Sequence, residues 1–203
     1  MIKVIILDIG NVLVHFGWKE YLEKQGYDED MISRIAHATV FNPLWKELDR
    51  SKSETIPEEL KDKFCAMDPE ITQDIRKYID HSFEVVWEYD YAVDFIKTLK
   101  ENGYLVYLLS NYGKANFKYA KENFKFFPYV DGQVISYELN HVKPEPEIYQ
   151  YLIEKYHIKP KEAVFLDDMK ENIEAAKPFG FHTILFTGLE NAIGKLNELG
   201  VNI

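Results

Sequence analysis

The strongest constraint on the fold is a set of five short apolar runs, closed by turn residues and separated by stretches with helical patterning. They are Val4 to Asp8, Leu105 to Asn111, Gly132 to Tyr137, Ala163 to Asp168, and His182 to Thr187. Such alternation predicts an α/β chain, a parallel sheet with crossover helices. Val4-Ile5-Ile6-Leu7 and Leu105-Val106-Tyr107-Leu108-Leu109 are continuously apolar. Strands covered on both faces read this way, whereas half-exposed strands alternate.

Nearly a hundred residues separate the first two runs, far more than one crossover helix needs, so an insertion is expected there. Residues 16–89 read as a helical cap domain, with 1–15 and 90–203 forming the α/β core. Asp28 is placed to cap a helix carrying Ile32, Ile35, Ala36 and Thr39 at helical spacing. Thr55-Ile56-Pro57-Glu58 has the form of a capping box. A third helical pattern runs from Pro69 through Ile71, Ile75, Tyr78 and Ile79 to Phe83. From Trp18 to Glu88 the net charge is −7, against −3 for the remainder.

Composition narrows the function classes. With 46% hydrophobic and 29% charged residues the chain is too apolar for disorder. A net charge of −10 repels polyanions, so neither nucleic acid nor an anionic membrane surface is an expected partner. The single cysteine, Cys65, excludes an internal disulfide and fits a reducing compartment. The N-terminal run meets Asp8 after four apolar residues, short of the ~7–15 of a signal core. A cytoplasmic location is expected, and oligomeric state is left open.

Ligands of open α/β sheets bind beyond the carboxyl ends of the strands. Those ends carry Asp8-Ile9-Gly10-Asn11, Ser110-Asn111 and Asp167-Asp168, with Lys143 presented before a helix start. Singly, each residue has an ordinary structural explanation as turn, cap or solvated charge; their joint order at strand ends carries the information. Three converging carboxylates repel one another unless a cation neutralises them, and oxygen ligands select Mg²⁺, Ca²⁺ or Mn²⁺ over zinc. Mg²⁺ is usually shared between one or two carboxylates and substrate phosphate. A metal-assisted phosphoryl-transfer site on a small phosphorylated substrate is therefore expected, with serine hydroxyl, backbone amide and lysine ammonium holding phosphate oxygens and an aspartate as nucleophile.

This ordered set resembles the four motifs of the haloacid dehalogenase superfamily, over about residues 1–15 and 90–190. The resemblance implies a three-layer Rossmann-like core with a small cap inserted after the first strand. It implies Asp8 as nucleophile and Mg²⁺ ligand, the Gly10 carbonyl as a further ligand, Asp168 as second carboxylate ligand, and Asp167 as a metal residue too, bound directly or one layer behind. Ser110 and the Asn111 amide would bind phosphate, and Lys143 would balance charge on phosphate and Asp8. One position departs from the phosphatases of that superfamily, which usually place an aspartate acid/base two residues after the nucleophile; here it is Gly10. General acid–base catalysis contributes roughly 10²–10⁴-fold, so the departure matters. Dehalogenases also lack that aspartate.

The run Asp8-Ile9-Gly10-Asn11-Val12-Leu13-Val14 is similar to a bacterial subgroup that includes a glucose-1-phosphatase, and Leu48-Asp49-Arg50-Ser51 resembles that subgroup's short cap turn. Where the subgroup commonly has arginine before the lysine, this chain has Val142. The leading expectation is a Mg²⁺-dependent phosphohydrolase, sugar phosphates favoured, working through an aspartyl-phosphate. The alternatives are a 2-haloacid dehalogenase, disfavoured by the retained Asp167 and Asp168, or a weakly active relative that binds a phosphometabolite. His15 and His141 are proton-relay candidates for the place Gly10 leaves, and Trp18, Phe41, Trp45 and Trp87 are candidate sugar-stacking surfaces.

Overall fold

All five apolar runs are strands in the computed structural model, which describes residues 1–203. The chain opens with β1 (Val4–Leu7) and β2 (Val14–Phe16), then α1 (Trp18–Lys24), α2 (Glu29–Ala38), α3 (Trp45–Arg50), α4 (Glu58–Cys65) and α5 (Thr72–Asp80). It continues through β3 (Val86–Glu88), α6 (Ala92–Glu101), β4 (Leu105–Ser110), α7 (Lys114–Asn123), β5 (Gly132–Ile135) and α8 (Ser136–Leu139). The last stretch holds α9 (Pro146–Tyr156), β6 (Ala163–Asp167), α10 (Lys170–Ala176), β7 (His182–Leu185) and α11 (Leu189–Glu198).

The main sheet is parallel in the order β5-β4-β1-β6-β7. Pairing aligns Ile5 with Val106 on one side and Val164 on the other. Strand side chains alternate between faces, and two cores result. Ile5, Leu7, Val106 and Leu108 pack with Ile96 and Leu99 of α6 and Leu196 of α11. Val4, Ile6, Leu109 and Phe165 pack with Ile148 and Leu152 of α9 and Ile173 of α10. Helices on both faces give three layers and explain the continuous apolar runs. The chain builds outward from β1 to β4 and β5, then returns to place β6 and β7 on β1's other side. That reversal opens a crevice at the carboxyl ends of β1, β4 and β6.

Between β1 and β4 the helices α1 to α5 have a core of their own, with Ile35, Phe64, Ile75 and Ile79 buried within it. Asp28 Oδ1 accepts from the Met31 N–H at 2.9 Å and caps α2, as expected. Such caps are worth about 1 kcal/mol. The Thr55 capping box does not form. Helix α4 starts at Glu58, with Pro57 extended at its N-cap position, so Thr55 lies two positions too far upstream to cap the first-turn amides. The Pro69–Phe83 pattern is helical but interrupted, with short 3₁₀ turns flanking α5. The sheet strands are also shorter at their ends than the apolar runs: Ser136 and Tyr137 begin α8, and Phe186 and Thr187 follow β7.

The sequence patterning missed the antiparallel ribbon β2–β3, which pairs Val14 with Glu88 and Phe16 with Val86. It joins the two crossings of the chain between the helical lobe and the sheet. No helix is long and apolar enough to cross a membrane.

Candidate active site

Asp8 leaves β1 at the centre of the sheet, and the turn after it folds back so that the amides of Val12, Leu13 and Val14 all donate to the Ile9 carbonyl. Asp8 is buried. Its Oδ1 accepts from the Ile9 N–H at 2.7 Å, from Ser110 Oγ at 2.6 Å and from Lys143 Nζ at 2.8 Å. Its Oδ2 has no partner within the protein.

Lys143 is carried by the loop before α9, and the Asn111 side chain holds that loop from both sides. Its Oδ1 accepts from the Lys143 N–H at 2.7 Å, and its Nδ2 donates to the Lys143 carbonyl at 3.1 Å. Beyond Asp8, Nζ reaches Asp167 Oδ2 at 2.6 Å. Burial alone would lower the lysine's pKa, but Asp167 and Asp8 outweigh it and raise it above the ordinary range.

Both oxygens of Asp167 are engaged. Oδ1 accepts from the Met169 N–H at 2.8 Å and Asn172 Nδ2 at 2.9 Å; Oδ2 takes Lys143 and a longer contact with the same Asn172 nitrogen. Asp168 is freer, with Oδ2 accepting from Asn11 Nδ2 at 2.9 Å. Asn11 sits at φ 53°, a left-handed conformation that asparagine tolerates better than most residues, and its Oδ1 accepts from the Phe16 N–H. The residue thus links the turn after Asp8 to Asp168 and to β2.

Carboxylate oxygens of Asp8, Asp167 and Asp168 lie within 4.8 Å of one another. One lysine against three carboxylates leaves excess negative charge. Burial pushes the Asp8 carboxyl up to about 7, with Asp167 and Asp168 adding to the rise against the pull of Lys143. Burial also raises Asp168, against its hydrogen bond from Asn11. Asn172 Oδ1, on the same wall, is buried without a hydrogen-bond partner. An all-oxygen set, unneutralised charge and an orphaned acceptor fit a hydrated divalent cation.

The expected residues Asp8, Gly10, Ser110, Asn111, Lys143 and Asp168 line one pocket, while Asp167 lies behind Lys143. The pocket's far wall comes from the helical lobe and ribbon, with Phe16, Trp45, Asp49, Phe83 and Val86. Sequence reading missed Asn11 and Asn172 as site residues because their contacts are tertiary. His15 and His141 are not in this pocket: the first bonds Tyr89 and Glu20, the second Glu145. Of the four candidate stacking aromatics only Trp45 lines it; Trp18 packs edge-on to Phe41, and Trp87 packs on His15.

Fold and site together place the chain in a known class. The haloacid dehalogenase-like hydrolase family model matches residues 2–180, and the protein belongs to that family of hydrolases. Among named relatives, a D-ribitol-5-phosphate phosphatase of Bacteroides thetaiotaomicron is 29% identical over 195 residues, covering 90% of this chain and 91% of the relative. An (S)-2-haloacid dehalogenase 4A of Burkholderia cepacia is 24% identical over 188 residues, 81% of each. A crystal structure of a HAD family enzyme from Bacteroides thetaiotaomicron, in complex with magnesium and inorganic phosphate, superposes with a TM-score of 0.68 at 27% identity, covering 91% of this chain and 93% of that one.

Proposed function

We propose that this protein is a Mg²⁺-dependent phosphohydrolase of a small phosphorylated metabolite, sugar and polyol phosphates favoured, working through an aspartyl-phosphate on Asp8. The observation that carries the reading is the Asp8 carboxylate: one oxygen is tied down by three donors, the other has no partner within the protein, and the group clusters with Asp167 and Asp168. The likeness to a phosphatase, and to a structure holding magnesium and phosphate, supports it.

Asp8, Asp168 and the Gly10 carbonyl would hold the metal. Asp167, with both oxygens engaged, is the weakest donor of the expected set, and its role is to hold Lys143. Bound Mg²⁺ supplies positive charge to the phosphate oxygens as negative charge moves onto them. Asp8 Oδ2 attacks phosphorus, the bond to the ester oxygen breaks, and water then hydrolyses the phosphoaspartate. Lys143, the Ser110 hydroxyl and the Asn111 amide stabilise the equatorial oxygens during both transfers. Preorganisation makes them effective, since Asn111 fixes the lysine loop before substrate arrives.

Phosphate release from a panel of sugar, polyol and nucleotide monophosphates should require Mg²⁺, stop with chelator and vanish in Asp8→Asn. Chelator-resistant chloride release from a 2-haloacid, with no phosphate released from the panel, would replace this reading with the dehalogenase one.

A further inference from the structure

An alkyl phosphate cannot leave easily as an alkoxide, so its departing oxygen needs a proton. Only three carboxyl groups line the pocket: Asp8, Asp168 and Asp49. The first attacks, and the second would hold the metal. Gly10, next in the wall, has no side chain. Asp49 comes from the opposite wall, at the end of α3, and its carboxyl has no hydrogen-bond or ion-pair partner within the protein.

The backbone around Asp49 is pinned to the core from three directions. Ser136 Oγ donates to the Asp49 carbonyl at 2.7 Å, the Lys114 N–H donates to the Ser51 carbonyl at 2.9 Å, and Arg50 pairs with Glu145 while donating to the Asn140 carbonyl at 3.0 Å. A side chain held so firmly over a pocket, yet left without a partner, is placed for a ligand. We propose that Asp49 is a catalytic residue of this site: its carboxyl protonates the departing ester oxygen and, as carboxylate, accepts the proton of the water that attacks phosphoaspartate. The inference rests on the phosphohydrolase reading and extends it to esters of unactivated alcohols.

The steps balance. Asp8 Oδ2 bonds to phosphorus as the phosphorus–oxygen bond to the alcohol breaks, and the Asp49 proton passes to that oxygen, releasing neutral alcohol. Water then bonds to phosphorus, its proton returns to Asp49, and the acyl-phosphate bond breaks to leave Asp8 and inorganic phosphate. Burial, with the charge of Asp8 adding to it, pushes the Asp49 carboxyl up to about 8 against Lys143, Arg50 and Lys46, the direction a proton donor needs.

The experiment compares kcat/KM, which reports steps up to leaving-group departure, for p-nitrophenyl phosphate and for the alkyl phosphate turned over best. Nitrophenolate leaves without protonation. In Asp49→Asn the alkyl ester should lose roughly 10²–10⁴-fold, while the aryl ester stays within about tenfold and shows a stoichiometric burst as phosphoaspartate accumulates. Asp49→Ser, smaller and equally unable to donate as an acid, provides a second fold-tested variant. A Cβ at Gly10 meets nothing within 4 Å, so Gly10→Asp added to Asp49→Asn should recover alkyl turnover. Equal loss on both esters, or loss on neither, would overturn the assignment while leaving the phosphohydrolase intact. A wild-type protein that releases phosphate from no ester would instead overturn the underlying reading.

Discussion

Lys143 Nζ lies between Asp8 and Asp167, 2.8 Å from one carboxylate and 2.6 Å from the other, on a side chain only 1% exposed. Removing it leaves two buried carboxylates without their cation. Breaking a buried pair from one side typically costs about 3–5 kcal/mol. Lys143→Met should therefore abolish phosphate release and also lower stability by about that amount, read as a shift of the urea midpoint. A loss of activity with unchanged stability would contradict the buried pairing.

Cation binding should be visible without turnover. Because the three carboxylates repel one another, Mg²⁺ bound to the folded state alone should raise Tm as its concentration passes Kd. Asp168→Asn, which removes one charge and one donor, should shrink that rise. An equal rise in wild type and variant would place the cation elsewhere.

Asn11 joins the turn after Asp8 to Asp168 from a left-handed position. Glycine adopts that conformation at least as well but cannot donate. Asn11→Gly should keep stability within about 1 kcal/mol while raising the Mg²⁺ concentration for half-maximal activity several-fold. Titration of activity against Mg²⁺ measures it.

Arg50 holds the Glu145 carboxyl down to about 2, with the Val142 amide and His141 assisting and burial opposing. The sign follows from a folded pKa below the unfolded one: the contribution is full above the unfolded value and is lost as pH falls through about 2. Wild type should exceed Arg50→Met in stability by about 1 kcal/mol near neutrality, the pair being partly exposed. Denaturation between pH 6 and pH 2 should show that gap closing on the acid side.

At Gly113 the backbone of the core comes close against the helical lobe. A Cβ there would stand 2.2 Å from the Leu48 carbonyl oxygen, a backbone atom with little freedom to retreat. Gly113→Ala should push the Asp49 segment away and reduce turnover of alkyl phosphates more than it lowers Tm. Comparing kcat/KM with thermal melts separates the two effects.

Legibility in the sequence followed the range of the interaction. The five sheet strands were readable because burial on two faces writes an unbroken apolar run, and Asp28 was readable as a cap because its bond to Met31 spans three residues. The β2–β3 ribbon was not, since three-residue strands containing His15 and Glu88 carry no run. Asp8, Ser110, Lys143 and Asp168 stood out at strand and loop ends. Asn111 was expected at the phosphate through its amide, whereas its side chain proves to brace the Lys143 loop. Asn172 bonds Asp167 from the following helix, a contact no pattern announces.

The three-way attachment of the Asp49 segment also bears on modularity. Lys114 of α7, Ser136 and Asn140 at the two ends of α8, and Glu145 before α9 each hold the same short stretch of the helical lobe. A chimaera that grafts this lobe onto another sheet must carry those anchors across with it, or the graft will fold with its acid hanging free of the substrate.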